Sequence, residues 1–316
     1  MGTHVLSAEP DRDKHVLTIT LAARLSARSE LRPLSPARFW TVYEQLGGDL
    51  PAAAESEDAE LRQLAGRTAA AALHAAELEG QGITLLTPFH ADYPQRYLAR
   101  LGPATPPLLY VAGASALLAD PDRHRLAVVG SRDATDAELD AARSAAEAAA
   151  DRGWDVVSGG AKGVDAVALN AAVSHGGTVI ALLTEGVRRA MRKGALRRLV
   201  SDGQAVLAAP VHPDAGFTVG NAMARNKLIY ALADVTYVAA VVEGEGGTWN
   251  GAAEALRRGY GRVGVNPQAQ AAGALQSLGA RPVATTAELY EAPPEDTGQT
   301  PSATPVDSAL QTSLFD

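Results

Sequence analysis

The sequence predicts an α/β fold, a mostly parallel and doubly wound sheet with a small helical N-terminal domain, on three observations. Apolar runs of strand length alternate with alanine-rich or amphipathic stretches from Arg125 to about Leu289. These runs are apolar nearly throughout, as strands covered on both faces require. Glycine-rich or polar junctions follow several of them, where open α/β sheets bind their ligands.

Residues 1–82 read as a helical module. Helical material begins near Val16, and SPARFWTVYEQLGG, from Ser35 to Gly48, has a Ser-Pro start, apolar positions at helical spacing and a glycine pair as a stop. One alanine-rich helix is predicted from about Asp58 to Gly80. GITLLTPFHADYPQRYLARLGPATPPLLYVAG then switches to short β-like runs broken by prolines, so residues 83–124 read as a linker leading into the sheet.

The main domain is expected over residues 125–289. RLAVVGS, DAELDAARSAAEAAADRG and WDVVSGG form one βαβ unit. The alternation continues through TVIALLTEG, RRAMRKGALRRLVSDG, QAVLAAP, NAMARNKLIYALA, DVTYVAAVVEG, TWNGAAEALRRG and GRVGVNP. Residues 290–316 carry acids but no base and few aliphatics before the end, and read as a disordered tail.

The 316 residues are long enough to bury a substantial core. Cysteine is absent, which excludes a disulfide framework, a thiolate metal site and a cysteine nucleophile, and fits a cytoplasmic protein. No metal or other cofactor is assigned, although histidine and carboxylate sites stay open. The first thirty residues lack a continuous apolar h-region and no run reaches membrane length, so no membrane association is expected. A formal charge of −8 does not exclude nucleic acid, because phosphate binding needs only a local patch.

Four junctions carry candidate chemistry. In VVGSRDAT, Ser131 can donate a hydroxyl and Arg132 can bind one phosphate twice, unless it pairs with Asp133 or Asp136. In SGGAKGVDAVALNAAVSHGG, Gly159 and Gly160 can present N–H groups, Lys162 adds charge, Gly163 permits close approach, and Asp165 can cap or orient the helix start. The same glycines also suit a plain tight turn. The pattern has neither Walker nor dinucleotide spacing.

In FTVGNAMARNKLIYALAD, Arg225, Asn226 and Lys227 are expected at the start of a helical run, where the chain turns toward a ligand or Asn226 caps the helix. In VVEGEGGTWNGAAEALRRG, Gly247 and Thr248 open an anion-receptive helix, while Glu243 and Glu245 argue against a bare phosphate sink. Between the second and third junctions, RRAMRKGALRR holds Arg188, Arg189, Arg192, Lys193, Arg197 and Arg198 without an acid. It is either a solvated helix face or an auxiliary steering patch for a polyanion. Trp249 and Tyr230 are the stacking candidates if they are not core.

Together these junctions resemble the DNA-processing protein A family (DprA, also called Smf). The resemblance rests on VVGSR, VVSGGAKGVDAVALNAAVSHGGTVIALL, ARNKLIYALADVTYVAAVVEG, the Gly247–Thr248 helix start and AGALQSLGARPV, and extends roughly from Ser35 to Ala284. It implies an extended Rossmann-like central domain and a non-enzymatic protein that binds single-stranded DNA during DNA uptake (transformation) or recombination. It also implies protection of that strand, loading of the RecA recombinase onto it, and a homodimer. By the same resemblance Arg132, Lys162, Arg225 and Lys227 fall on backbone phosphates.

Several positions depart from the family pattern. Leu169 stands where the family commonly has histidine, Ala208–Ala209 where it has serine-glutamate before proline, and a glycine pair where it has serine-glycine before Thr248. No winged-helix segment follows the sheet, and a divergent paralogue or a role in defence against foreign DNA is compatible with these differences.

The enzymatic alternative is a nucleotide hydrolase similar to the cytokinin-activating phosphoribohydrolases, with Thr248 and Glu254 as its nearest match. A non-enzymatic nucleotide sensor is the third reading. At the end of the chain, Gln311, Leu314 and Phe315 are similar to the short motif by which bacterial replication and repair proteins dock on the polymerase sliding clamp. Folding back of these apolar side chains onto the protein itself is the competing expectation.

Overall fold

The structure, a computed structural model, describes residues 9–25 and 31–291. The tail and its Gln311, Leu314 and Phe315 lie outside the described residues.

The N-terminal part contains α1 (Glu9–Ala22), α2 (Pro36–Gln45), α3 (Ala59–Ala65) and α4 (Thr68–Glu79). Ser35 caps α2 by accepting the Arg38 N–H, and Phe39, Trp40 and Tyr43 pack with Leu21, Leu61 and Leu64 in one cluster. The alanine-rich stretch is two helices where one was expected. The break at Gly66–Arg67 lets the Arg67 guanidinium donate to the Thr20 and Ala23 carbonyls, both at 2.7 Å, and so close the C-terminus of α1.

Residues 83–124 are not a connector, since they supply two strands of the sheet. These are β1 (Ile83–Leu86) and β2 (Leu109–Ala112), with α5 (Arg96–Leu101) between them and α6 (Ala116–Ala119) after them. The remaining elements are β3 (Arg125–Gly130), α7 (Asp136–Asp151), β4 (Asp155–Ser158), α8 (Val164–Ser174), β5 (Val179–Leu182), α9 (Val187–Ala190), α10 (Gly194–Ser201) and β6 (Ala205–Ala209). They continue as α11 (Val219–Leu232), β7 (Val235–Ala240), α12 (Gly246–Arg258), β8 (Arg262–Val265), α13 (Ala272–Ser277) and β9 (Arg281–Pro282).

The nine described strands form one sheet in the order β1-β2-β6-β5-β4-β3-β7-β8-β9. All neighbours from β6 to β9 are parallel, while β2 runs antiparallel to both β6 and β1. Alternate residues of β3 enter different cores. Leu126 and Val128 meet Ala142, Ala146 and Ala168 of α7 and α8, whereas Ala127 and Val129 meet Leu228, Ile229 and Ala252 of α11 and α12. Both faces are therefore buried, which is why these strands read as runs apolar nearly throughout.

The chain lays down β3 to β6 outward on one side, then adds β7 on the other side of β3. The strand order of this extended Rossmann-like fold thus reverses between β3 and β7, and the crevice beyond their carboxyl ends is the place for a ligand. Arg96 and Arg100 of α5 donate to the Leu232, Ala231 and Ala233 carbonyls at 2.6 to 3.0 Å, which ties the segment of β1 and β2 to the end of α11. Among the described residues no helix is long and apolar enough to cross a membrane.

Candidate nucleic-acid interface

The glycine loop after β4 does cradle an anion, and that anion is the protein's own. Asp165, in the first turn of α8, is only 7% exposed. The Ala161 N–H donates to its Oδ2 at 3.4 Å and the Gly159 N–H also favours its charged form. Burial nevertheless raises its pKa above the ordinary carboxylate range, against the pull of Arg225 and these N–H groups. N–H groups expected to face a ligand are thus partly spent on Asp165.

Gly163 has a separate reason to be glycine. Its φ of 78° is positive, and a Cβ there would lie 2.6 Å from the Ser131 carbonyl oxygen and 2.7 Å from that of Arg132. The loop after β4 is thereby seated directly on the loop after β3. Gly160 also has a positive φ, of 68°, but more room around it. Lys162 is exposed in this loop and does not line the crevice.

Arg225, Asn226 and Lys227 lie inside α11, not at its start. Successive helical residues are about 100° apart, so the three point to different surroundings. Arg225 turns inward and is 6% exposed. Asn226 donates from Nδ2 to the Gly247 carbonyl at 3.0 Å, and Lys227 is half-buried outside the crevice lining. The four basic side chains expected on phosphates therefore do not all converge. Arg132 and Arg225 share the crevice.

The Arg225 guanidinium sits over Gly159, where a Cβ would fall 1.7 Å from Nη1. This close approach, rather than an unusual backbone angle, explains glycine at that position. Burial lowers the Arg225 pKa while Asp165 opposes the shift, and Nε is buried without a hydrogen-bond partner. An arginine keeps its charge under such conditions.

The crevice has a volume of about 400 Å³ and two unlike walls. One is polar, with Ser131 and Arg132 after β3 and the N-terminus of α12 at Gly246–Thr248. Glu245 precedes α12 without a side-chain capping bond, so the first N–H groups of that helix remain available. By contrast, α7 closes its own N-terminus with a capping box of Thr135 and Glu138. Asp133 and Glu245 also line this wall, whereas Glu243 is exposed outside it.

The other wall is apolar. Phe217, Val219 and Met223 are 53%, 72% and 45% exposed there. Arg132 makes no ion pair with Asp133 or Asp136 among the described residues, and its guanidinium lies 5.9 Å from the Phe217 ring centroid. Sequence reasoning missed Phe217. The available signal was a lone aromatic in a glycine-rich loop just before the Thr218 helix cap.

Neither stacking candidate named from sequence is a free platform. Tyr230 is 2% exposed, and its hydroxyl donates to the Thr248 carbonyl at 3.4 Å. Trp249 is partly buried against the same core. Their burial follows from the tight contact of α11 with α12, where a Cβ on Gly251 would lie 2.9 Å from Tyr230 Cε2.

The basic run divides into the short helices α9 and α10, and acids distant in sequence reach it. Arg188 pairs with Asp214, while Glu185 pairs with Arg189 at 2.9 Å and Lys193 at 3.9 Å. Arg192, Arg197 and Arg198 are exposed and have no acidic partner among the described residues. Glu254, the candidate hydrolytic group, accepts the Tyr260 hydroxyl at 3.1 Å and does not line the crevice. The described residues hold no cluster of three or more metal-ligating side chains.

Comparison with known structures recovers this fold. DNA processing protein A of Streptococcus pneumoniae superposes with a TM-score of 0.64 at 20% identity, over 88% of this chain and 96% of that chain. DNA processing protein A of Helicobacter pylori, studied for its single-stranded DNA binding mode, gives 0.55 at 22% identity, over 65% of this chain and 93% of that chain. At these identities the likeness is one of fold. Comparison with curated proteins gave no match. The family model of DNA recombination-mediator protein A matches residues 84–292, from the first strand to the end of the described sheet domain. That span is well over half of the sequence and includes every element around the crevice, so the chain belongs to the DNA recombination-mediator protein A family.

Proposed function

We propose that this chain is a non-enzymatic single-stranded DNA-binding protein of DNA processing or recombination, and that the crevice beyond β3 and β7 is its binding site. The observation that carries the reading is the nearly buried Arg225 guanidinium in a crevice that also holds Arg132 and an uncapped helix N-terminus. Family membership and the fold shared with DNA processing protein A support it. Ser131, Arg132, Arg225 and the N–H groups of Gly247 and Thr248 contact phosphate, and an unstacked base lies on the Phe217 lip. Lys162 and Lys227 act outside the crevice, and Arg192, Arg197 and Arg198 steer the strand.

Affinity for an oligothymidine measured against salt tests this reading. Each neutralised phosphate contributes about −0.7 to the logarithmic slope for a single strand. Phe217→Ala lowers affinity about 5- to 150-fold, as loss of about 1–3 kcal/mol of base stacking requires, and leaves the slope unchanged. A flat salt response of the wild type sinks the DNA reading. Such a result favours the nucleotide sensor, for which the volume of about 400 Å³ is adequate.

The wider role follows from the same reading. The protein works in the cytoplasm as a homodimer that protects the strand and hands it to a RecA-type recombinase. The tail contacts the polymerase sliding clamp through Gln311, Leu314 and Phe315. Calorimetry with purified clamp detects modest affinity for the full chain and none after truncation beyond Ser308. Equal binding by both chains, or by neither, rejects the clamp contact alone.

A further inference from the structure

Arg225 and Asp165 reach the floor of the crevice from elements far apart in sequence. The arginine comes from the middle of α11, and the carboxylate from the first turn of α8. An arginine side chain carries about 2 kcal/mol of rotamer entropy, so something must fix its guanidinium before a ligand arrives. Among the described residues its guanidinium makes no hydrogen bond or direct ion pair, and its Nε is buried without a partner. Shape and electric field are what remain to hold it.

Shape is supplied by Gly159, whose missing side chain leaves the notch that Nη1 fills. Among the described residues, Asp165 is the carboxylate whose field acts on the guanidinium. The charged or titratable groups that act on Arg225 are Asp165, Tyr230 and Arg132. Tyr230 is held neutral by complete burial, and Arg132 repels the guanidinium. Asp165 is itself fixed by the loop N–H groups described above, so it is a rigid counter-charge.

We infer that Asp165 is a positioning residue for the strand: its carboxylate holds the Arg225 guanidinium in the Gly159 notch with its donors free for phosphate. This rests on the DNA-binding reading of the same crevice and goes beyond it by giving the glycine loop an indirect role. The loop does not touch the phosphate; it aims the group that does.

Positioning by Asp165 and simple charge counting have opposite signs. An acid beside a phosphate site repels phosphate, so its removal should strengthen binding. Positioning requires the reverse. Asp165→Asn, which keeps size and a hydrogen-bond acceptor, is expected to weaken oligothymidine binding about tenfold at low salt, the order of coupling between neighbouring groups. Gly159→Ala is expected to weaken it as well by displacing the guanidinium.

The pH profile is a second readout that a merely structural role would not move. Wild-type affinity falls as acidification protonates Asp165, and it does so at a higher pH than for an ordinary carboxylate, because burial raises this group. Asp133 and Glu245 also line the crevice, and they are the same in wild type and variant. The difference between wild type and Asp165→Asn therefore isolates Asp165, and Gly159→Ala, which displaces the same guanidinium, decides the matter if the first variant misfolds. Unchanged or tighter binding by Asp165→Asn, or by Gly159→Ala where the first variant does not fold, overturns the inference while the DNA reading stands. No binding by the wild type removes both.

Discussion

Replacing Arg225 by alanine lowers affinity for single-stranded DNA about 10- to 150-fold and makes the logarithmic salt slope shallower by about 0.7. The first figure follows from about 1.5–3 kcal/mol for a hydrogen bond to a charged group, and the second from loss of one phosphate contact. Arg225 is 6% exposed, so its contact is poorly screened. Arg132 lies at the exposed rim, and its alanine variant loses less. Binding titrations at two salt concentrations separate the cases. Equal affinities for wild type and Arg225→Ala would assign the buried guanidinium to the fold alone.

The same variant changes the pH dependence of stability. Burial raises the folded-state pKa of Asp165, while Arg225 pulls it down. Between its unfolded and folded values the native state holds more protons than the unfolded state, so stability falls as pH rises through that window. Removing Arg225 raises the folded value further and extends the loss to higher pH. Urea midpoints measured from acid to neutral pH are expected to decline more steeply with pH for Arg225→Ala than for wild type.

The sheet was legible because its chemistry is local. In β3 and β7 every position but Gly130 is buried, which leaves runs that are apolar nearly throughout, as only a doubly covered strand needs. The runs of β1 and β2 read as β-like, but the prolines around them made the segment a linker and hid its place in the sheet, although at the edge of a mixed sheet short strands tolerate such neighbours. The break between α3 and α4 was hidden for another reason. Alanine propensity favours one long helix, and the contact that overrides it is made by Arg67 to α1, distant in sequence.

The site divides in the same way. Its location follows from the order of strands, and the residue types at Arg132, Arg225 and Gly247 suggested an anion before any geometry was known. What sequence does not display is which way each group faces. The polar triplet at Arg225 to Lys227 splits into a buried cation, a helix-helix contact and an outer lysine because a helix rotates about 100° per residue. The Gly159 contact with Arg225 has no periodic signature at all, since it joins a strand end to the interior of a later helix.

Gly163 is where fold and site are most tightly coupled, and Gly163→Ala is expected to destabilise the protein by about 2–6 kcal/mol. Its φ of 78° with ψ of −131° lies in backbone space that essentially only glycine occupies, and strain there costs about 1–3 kcal/mol. A methyl group would also lie 2.6 Å from the Ser131 oxygen and 2.7 Å from the Arg132 oxygen, atoms of the main chain that cannot rotate away. Overpacking of this kind adds about 1–3 kcal/mol. Gly160→Ala is the matched control, because its φ is 68° but its nearest contact, Leu183 Cδ2, is 3.5 Å from the added carbon. That variant is expected to lose about 1–2 kcal/mol from the left-handed backbone alone. Relief of the clash in Gly163→Ala moves the loop carrying Ser131 and Arg132, so DNA affinity falls with stability, whereas Gly160→Ala leaves that loop in place. Urea unfolding and oligothymidine titration of both variants measure the two effects together. If Gly163→Ala is no less stable than Gly160→Ala, or keeps full affinity, the contact between the two glycine-bearing loops is not what holds Arg132 at the crevice.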